Sequence, residues 1–335
     1  MRIIINESGG NYEKNTIYHL RWDLLLAGCG EDEGTSTVST EAESMSAYEV
    51  EHQLGVAEFE EPPENVVTLF QGANDTAVAL GYEPVGIVES WLEQPVYEYL
   101  RDDLSESTIV GDEIQPNLEE IAALEPDVII ATQSRHEEVY EQLSDIAPTV
   151  VLEELNDFKA TLEIMGETLG EEDQAKQLLD HWDERIEDFQ SQMESTQDEW
   201  PMTRSVINFR SDSLRLFVEG FPGSVLSDAG FEMPDNQQQA YENDETFIEL
   251  TNTESIPELE SDMFFVYLQS NQEADELDEA WQLWTGHPLW DELEAVDQEQ
   301  LEMVDEVIWS MGAGFIAANE MLDDLYEIFE LEDGE

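Results

Sequence analysis

The stretches NLEEIAALEPDVII (residues 117–130) and NTESIPELESDMFF (252–265) align without a gap. Asn117/Asn252, Glu119/Glu254, Ile121/Ile256, Leu124/Leu259, Glu125/Glu260 and Asp127/Asp262 coincide. Each copy reads as a helical turn or two leading into an apolar strand. A shorter echo pairs Leu80-Gly81-Tyr82 with Ala229-Gly230-Phe231. The chain therefore repeats one αβ unit, and two similar α/β lobes are the expectation.

The surroundings of each copy agree. VVTLF (66–70) has the pattern of a buried strand, and residues 72–80 suit the helix after it. Residues 84–88 and 125–130 supply a second and a third strand. Strands alternating with helices at this spacing indicate a mainly parallel sheet. Between the copies, Ala175, Leu178, Trp182, Ile186, Phe189 and Met193 recur every three or four residues with acids between them. That periodicity predicts one long amphipathic helix over 157–193, stopped by Pro201. Strand patterns resume at 205–209, 214–218, 263–268 and 301–304, and residues 317–331 predict a last amphipathic helix. The domains expected are an α/β lobe over 61–156, a connecting helix region over 157–199 and a second α/β lobe over 200–335.

Charge is the other dominant feature. The chain has 11 Lys and Arg against 82 Asp and Glu, a formal net charge of −71. The acids are spread along the whole length among 41% hydrophobic residues and eight Trp, which describes a folded, acid-coated protein and not an acidic tail. Such a surface repels itself in dilute buffer, whereas molar salt shortens the screening length to roughly 3 Å. Adaptation to high external salt is the reading. Nothing here could neutralise a row of phosphates, so nucleic acid is not an expected partner. One cysteine, Cys29, excludes an internal disulfide and a Cys-based zinc site. No run approaches the apolar length of a transmembrane helix.

Residues 24–29, LLLAGC, resemble the lipobox of bacterial and archaeal lipoproteins, in which the Cys is lipidated and becomes the mature N-terminus. The Ser/Thr/Glu-rich stretch that follows suits a flexible tether over 29–60. Residues 1–28 read as a truncated or mis-started signal segment, because only Leu24 to Ala27 forms an apolar core where a signal peptide needs more. Either the true start lies upstream or Cys29 is simply a cysteine near a polar end. Lipidation at Cys29 is the expectation retained.

Four longer stretches carry a family resemblance: LGYEPVGIVESWLEQPVYEYL (80–100), VGDEIQPNLEEIAALEPDVIIATQSRHEEVYEQLSDIAPTV (110–150), LRLFVEGFPGSVLSDAGFEMP (214–234) and HPLWDELEAVDQEQLEMVDEVIWSMGAGFIAANEMLDDL (287–325). From about residue 60 onward the chain resembles the iron–siderophore and cobalamin substrate-binding proteins of ABC transporters. The likeness is greatest to the branch handling ferric hydroxamate and citrate-containing siderophores. The resemblance implies the class III periplasmic-binding-protein fold, two Rossmann-like lobes joined by a rigid helix. It also implies an extracytoplasmic, lipid-anchored, monomeric protein at the outer face of the membrane. Such a protein captures a ferric siderophore and passes it to a permease driven by a cytoplasmic ATPase. No covalent cofactor, no directly bound metal and no enzymatic activity are expected. Cobalamin or haem binding remains the alternative within the fold.

Holding a ferric siderophore needs flat apolar surface, a few polar contacts and positive charge. Arg135 follows a predicted strand at the carboxyl edge, where α/β folds place ligands. Arg210 and Arg215 flank a turn between two predicted strands, and Arg204 lies just before. An arginine fork grips a carboxylate or a polarised hydroxamate oxygen with paired hydrogen bonds. Trp91 and Trp309 are candidate aromatic walls, with Tyr97, Phe217 and Phe221 behind them, while Trp182 falls on the core stripe of the long helix. Relatives in this branch often have Arg before the Pro matched by Pro234, where this chain has Met233. In the family one Glu on each lobe docks onto basic residues of the permease, which singles out Glu119 and Glu254. The sequence shows no Ser-His-Asp order, no phosphate-binding glycine loop and no HExxH. A reading of a different class, a metal-ion chaperone, would have to use His136 or His287 together with distant acids.

Overall fold

The computed structural model describes residues 47–153, 155–243 and 245–332. Cys29, the lipobox and the tether as far as residue 46 lie outside the described residues. From Tyr48 onward the tether reading is corrected. Strands β1 (Tyr48–His52) and β2 (Gly55–Phe59) pair as an antiparallel hairpin. Val50, Ala57 and Phe59 point into the core while their acidic neighbours point out, so the mean polarity of the segment conceals its alternation. The Tyr48 hydroxyl donates to the Thr168 carbonyl at 2.8 Å, fastening the hairpin to the connecting helix region.

The first lobe holds β3 (Val66–Thr68), β4 (Gly86–Ile87), β5 (Thr108–Ile109), β6 (Val128–Thr132) and β7 (Thr149–Leu152). They form one parallel sheet in the order β5-β4-β3-β6-β7. The second lobe holds β8 (Arg204–Phe209), β9 (Leu214–Phe217), β10 (Phe247–Leu250), β11 (Met263–Leu268) and β12 (Leu301–Met303), in the order β10-β9-β8-β11-β12. Here β8, β11 and β12 run parallel and β9 is antiparallel to both its neighbours. The strand expected over 84–88 shrinks to two residues.

The repeat has a physical basis in both lobes. Asn117 accepts the backbone N–H of Glu119 at 3.1 Å at the start of the helix Leu118–Ala123, and Asn252 does the same for Glu254 at 3.1 Å. Each is an N-cap. Pro257 turns the second copy into a 3₁₀ stretch, Thr253–Leu259. Asp127 accepts the N–H of Asn65 at 2.7 Å and Asp262 accepts that of Thr203 at 2.6 Å. Each aspartate thus fastens the residue just ahead of its lobe's central strand, β3 or β8. The coincident Asn and Asp are the bolts of one unit used twice.

The single long helix becomes two, Phe158–Leu169 and Glu172–Thr196, broken at Gly170. Gly170 adopts φ 72°, the left-handed conformation that ends helices and that glycine reaches without strain. Periodicity alone missed the break because apolar spacing continues on either side. Trp182 is fully buried, with Phe158 edge-on at 5.0 Å. Around this pair one apolar cluster runs from Val66 and Val128 of the first lobe to Val206 and Phe265 of the second. A shared core of this kind holds two lobes as one body.

Candidate functional site

The carboxyl ends of the parallel strands deliver the candidate residues. In the first lobe β4 leads to Trp91 and β6 leads to Arg135. The guanidinium carbon of Arg135 lies 5.8 Å from the ring centres of both Phe70 and Trp91. Its side chain is 26% exposed and pairs with Glu113, whose side chain is 1% exposed. The other Glu113 oxygen accepts the backbone N–H of Gln71 at 2.8 Å, at the first residue of the helix Gln71–Ala79. That carboxylate therefore sits between a guanidinium and a helix N-terminus, two favourable neighbours for a negative charge. Burial pushes the Arg135 pKa down, opposed by the Tyr97 hydroxyl. Trp91 itself is 42% exposed and lines a cavity of about 290 Å³ with Ser90, Gln94, Asp112, Ile114 and Gln115.

In the second lobe, Arg210 follows β8, and Arg215 stands opposite Asn208 in the β8–β9 register. The Arg215 guanidinium lies 4.3 Å from the Phe247 ring centre and 3.5 Å from Glu249. Phe217, half-buried, packs its ring 5.7 Å from Phe247 and 6.3 Å from Tyr267. The buried Tyr267 donates its hydroxyl to Ser310 Oγ at 3.1 Å. Burial raises the Tyr267 pKa, with Glu306 reinforcing the shift and Arg215 and Arg210 opposing it. Four of these groups thus share one electrostatic neighbourhood.

The two lobes meet over this site. Tyr97, fully buried, donates to the Met311 carbonyl at 3.4 Å and stacks on Tyr99 at 6.1 Å. Burial raises its pKa most; Glu93 and Glu306 add to the shift, and Arg135 opposes it. One hydroxyl therefore feels Arg135 of the first lobe and Glu306 of the second. Beside it, the buried Asp75 accepts Ile316 N–H at 2.7 Å, Ala317 N–H at 2.9 Å and the Tyr99 hydroxyl at 2.9 Å. A side chain at Gly314 would meet the Asp75 carboxyl at 2.3 Å, so only glycine allows this close approach.

Three expected ligand residues land elsewhere. Trp309 is fully buried, donates to Asp324 at 2.7 Å and packs 4.7 Å from Phe265. The π-helical turn Val307–Met311 rotates it into the core, so in this structure it forms no cleft wall. Phe221 opens the helix Phe221–Asp228 and is buried edge-on to Phe158 at 6.2 Å. Tyr97 braces the lobe junction and presents no exposed ring. Arg204 is also buried, at the amino end of β8, donating to the Phe217 and Val218 carbonyls at 3.4 Å; burial pushes its pKa down to about 10. Arg135 stays beside Trp91 on the first lobe, and Arg210, Arg215 and Phe217 stay on or beside β8 and β9 of the second.

Sequence reasoning missed Glu113, Glu306, Asn208 and Tyr267. The two glutamates carry no signal in a chain with 82 acids. Asn208 could have been found, as a polar residue inside the apolar run of β8; it is buried and its side-chain nitrogen has no hydrogen-bond partner among the described residues. The chaperone reading finds no support. His136 is buried, its Nδ1 accepts the Thr132 N–H at 3.0 Å, and burial pushes its pKa down to about 4. His287 belongs to the other lobe and accepts the Leu289 N–H at 3.3 Å. Among the described residues no three His, Cys, Asp or Glu side chains are placed to share a metal. Glu119 and Glu254 are both exposed, each two residues after its capping Asn.

Comparison with known proteins now bears on the geometry. A profile of the periplasmic binding protein family matches residues 66–306. The chain belongs to that family. The achromobactin-binding periplasmic protein of Dickeya dadantii is 41% identical over 274 residues, covering 81% of this chain and 88% of that protein. A probable siderophore-binding lipoprotein of Bacillus subtilis is 33% identical over 91% of this chain and 94% of its own. The crystal structure of Staphylococcus aureus SirA complexed with staphyloferrin B superposes with a TM-score of 0.81 at 40% identity, over 85% of this chain and 99% of that one. The helix-linked two-lobe architecture is the class III periplasmic-binding-protein fold.

Proposed function

We propose that this periplasmic binding protein captures a ferric siderophore between its lobes and delivers it to an ABC permease. The observation that supports the reading is a pair of arginine-and-aromatic sites, one on each lobe. Arg135 lies over Phe70 and Trp91 on one lobe, and Arg210, Arg215, Phe217 and Tyr267 gather on the other. Guanidinium donors supported by aromatic faces suit a bulky, oxygen-rich metal chelate, and no bond chemistry is needed to hold it. The names of the relatives, which cite achromobactin, staphyloferrin B and ferric citrate, support the same class.

Further parts of the reading follow. Cys29 carries a lipid that holds a monomer at the outer face of the cytoplasmic membrane. Glu119 and Glu254, exposed at matching positions, meet basic residues of the permease. The acidic coat suits a saline exterior. A thermal-shift screen in molar salt tests the ligand class, with ferric siderophores set against cobalamin, haem and bare metal ions. A rise in melting temperature with ferric siderophores alone is expected. Stabilisation by cobalamin, haem or a bare ion instead would displace the proposal.

A further inference from the structure

Two of the three candidate arginines stand beside a glutamate. Arg135 pairs with the buried Glu113, and Arg215 lies 3.5 Å from Glu249. Glu306 is buried at the end of β12's following turn, where its Oε2 accepts the Ser270 N–H at 2.6 Å. The charge of Arg210 acts on the same carboxyl and opposes the upward push of burial. Two guanidiniums are thus matched by carboxylates at contact distance, and a third carboxylate, Glu306, is buried within reach of the charge of Arg210. The arrangement is not generic surface pairing. Glu113 and Glu306 each accept a backbone N–H from a buried position, and a buried charge of this kind persists only when paired.

An arginine already matched by a carboxylate still offers N–H donors, but its long-range attraction for anions is cancelled. We propose that Glu113, Glu249 and Glu306 balance the charge of the cleft, so that the protein selects ferric chelates of low net charge over strongly anionic ones. This rests on the siderophore reading above and sharpens it to a ligand class. The ligand's oxygens are recognised as hydrogen-bond acceptors. Its apolar surface lies against Trp91 and Phe247, which stand beside the guanidiniums, and against Phe217 next to Phe247.

The test titrates the whole chain by tryptophan fluorescence with ferric chelates graded in charge, from neutral ferric trihydroxamates to ferric dicitrate. The wild-type affinity should fall as the chelate becomes more negative. Glu113→Gln and Glu306→Gln each remove a negative charge beside the ligand. Each should raise the ratio of dicitrate to trihydroxamate affinity about five-fold, the size expected for one charge several ångströms away at an intermediate dielectric. Glu249→Gln, at an exposed position that leaves folding intact, should raise it about two-fold. Replacing Glu113 and Arg135 together should restore the wild-type ratio. A wild-type preference for ferric dicitrate, or ratios unmoved by all three glutamine variants, would overturn the charge-balance proposal while leaving siderophore capture standing. Failure to bind any chelate of the series would remove siderophore capture itself, and this inference with it.

Discussion

Asp75 offers the most demanding test of how the lobes are held together. Its carboxylate accepts two backbone N–H groups at the start of the last helix, Phe315–Ile328, and the Tyr99 hydroxyl, all from a fully buried position. Asp75→Ala deletes the acceptor and strands these three buried donors. At about 1–3 kcal/mol for each of the three stranded groups, the expected loss is about 3–9 kcal/mol, a large share of the stability of an ordinary domain. Asp75→Asn keeps one acceptor oxygen and should lose about half as much. The assay is urea unfolding at fixed molar salt, followed by tryptophan fluorescence. Its pH dependence adds a sign. Burial pushes the Asp75 carboxyl up to about 7 and Asp324 up to about 6. The native state therefore binds more protons than the unfolded chain between about pH 4 and those values, and stability must fall as pH rises through that window. In Asp75→Asn that part of the slope should vanish. An Asp75→Ala protein within 1 kcal/mol of wild type, or a stability that climbs from pH 4 to 7, would refute the reasoning.

Other expectations follow from the same structure. Moving the protein from molar to low salt should lower its melting temperature, because unscreened repulsion among 82 acids acts chiefly on the compact state; a temperature that holds steady would contradict this. Arg210→Ala should weaken ferric-siderophore binding by about 1.5–3 kcal/mol in a titration, with little change in unfolding. Arg135→Ala should cost stability as well as affinity, because it leaves Glu113 buried without its cation; equal urea midpoints would show that the pair carries no structural weight. Reversing Glu119 and Glu254 together to Arg should leave ligand affinity intact while uptake by cells collapses, with each single change intermediate. Normal uptake by the double variant would remove both from the docking surface.

The internal repeat made the two-lobe architecture readable because its coincident residues do the same work twice. Asn117 and Asn252 cap, and Asp127 and Asp262 fasten the entry to β3 and β8. Local errors came where a single residue overrides a pattern. Gly170 breaks a helix whose apolar spacing runs on unbroken, and alternation within Tyr48–Phe59 was masked by the acids on its outer face. For the candidate site, position relative to predicted strands singled out Arg135, Arg210, Arg215 and Trp91, and the structure leaves all four on or just after strands of the two sheets. The same reading misplaced Trp309 because a π-helical turn, which depends on packing and not on local composition, turns that ring inward. Glu113 and Glu306 were invisible, since their distinction is burial, and burial is a tertiary property.

The location of the iron tests the central claim most directly. A crystal of the protein grown with a ferric siderophore, measured at the iron absorption edge, gives one anomalous peak wherever the chelate binds. Capture between the lobes predicts a peak bracketed by Arg135 and Trp91 on one side and by Arg210, Arg215 and Tyr267 on the other. A peak in the larger acidic cavity of about 460 Å³ lined by Glu51, His52, Glu153, Glu163 and Glu167 would contradict it.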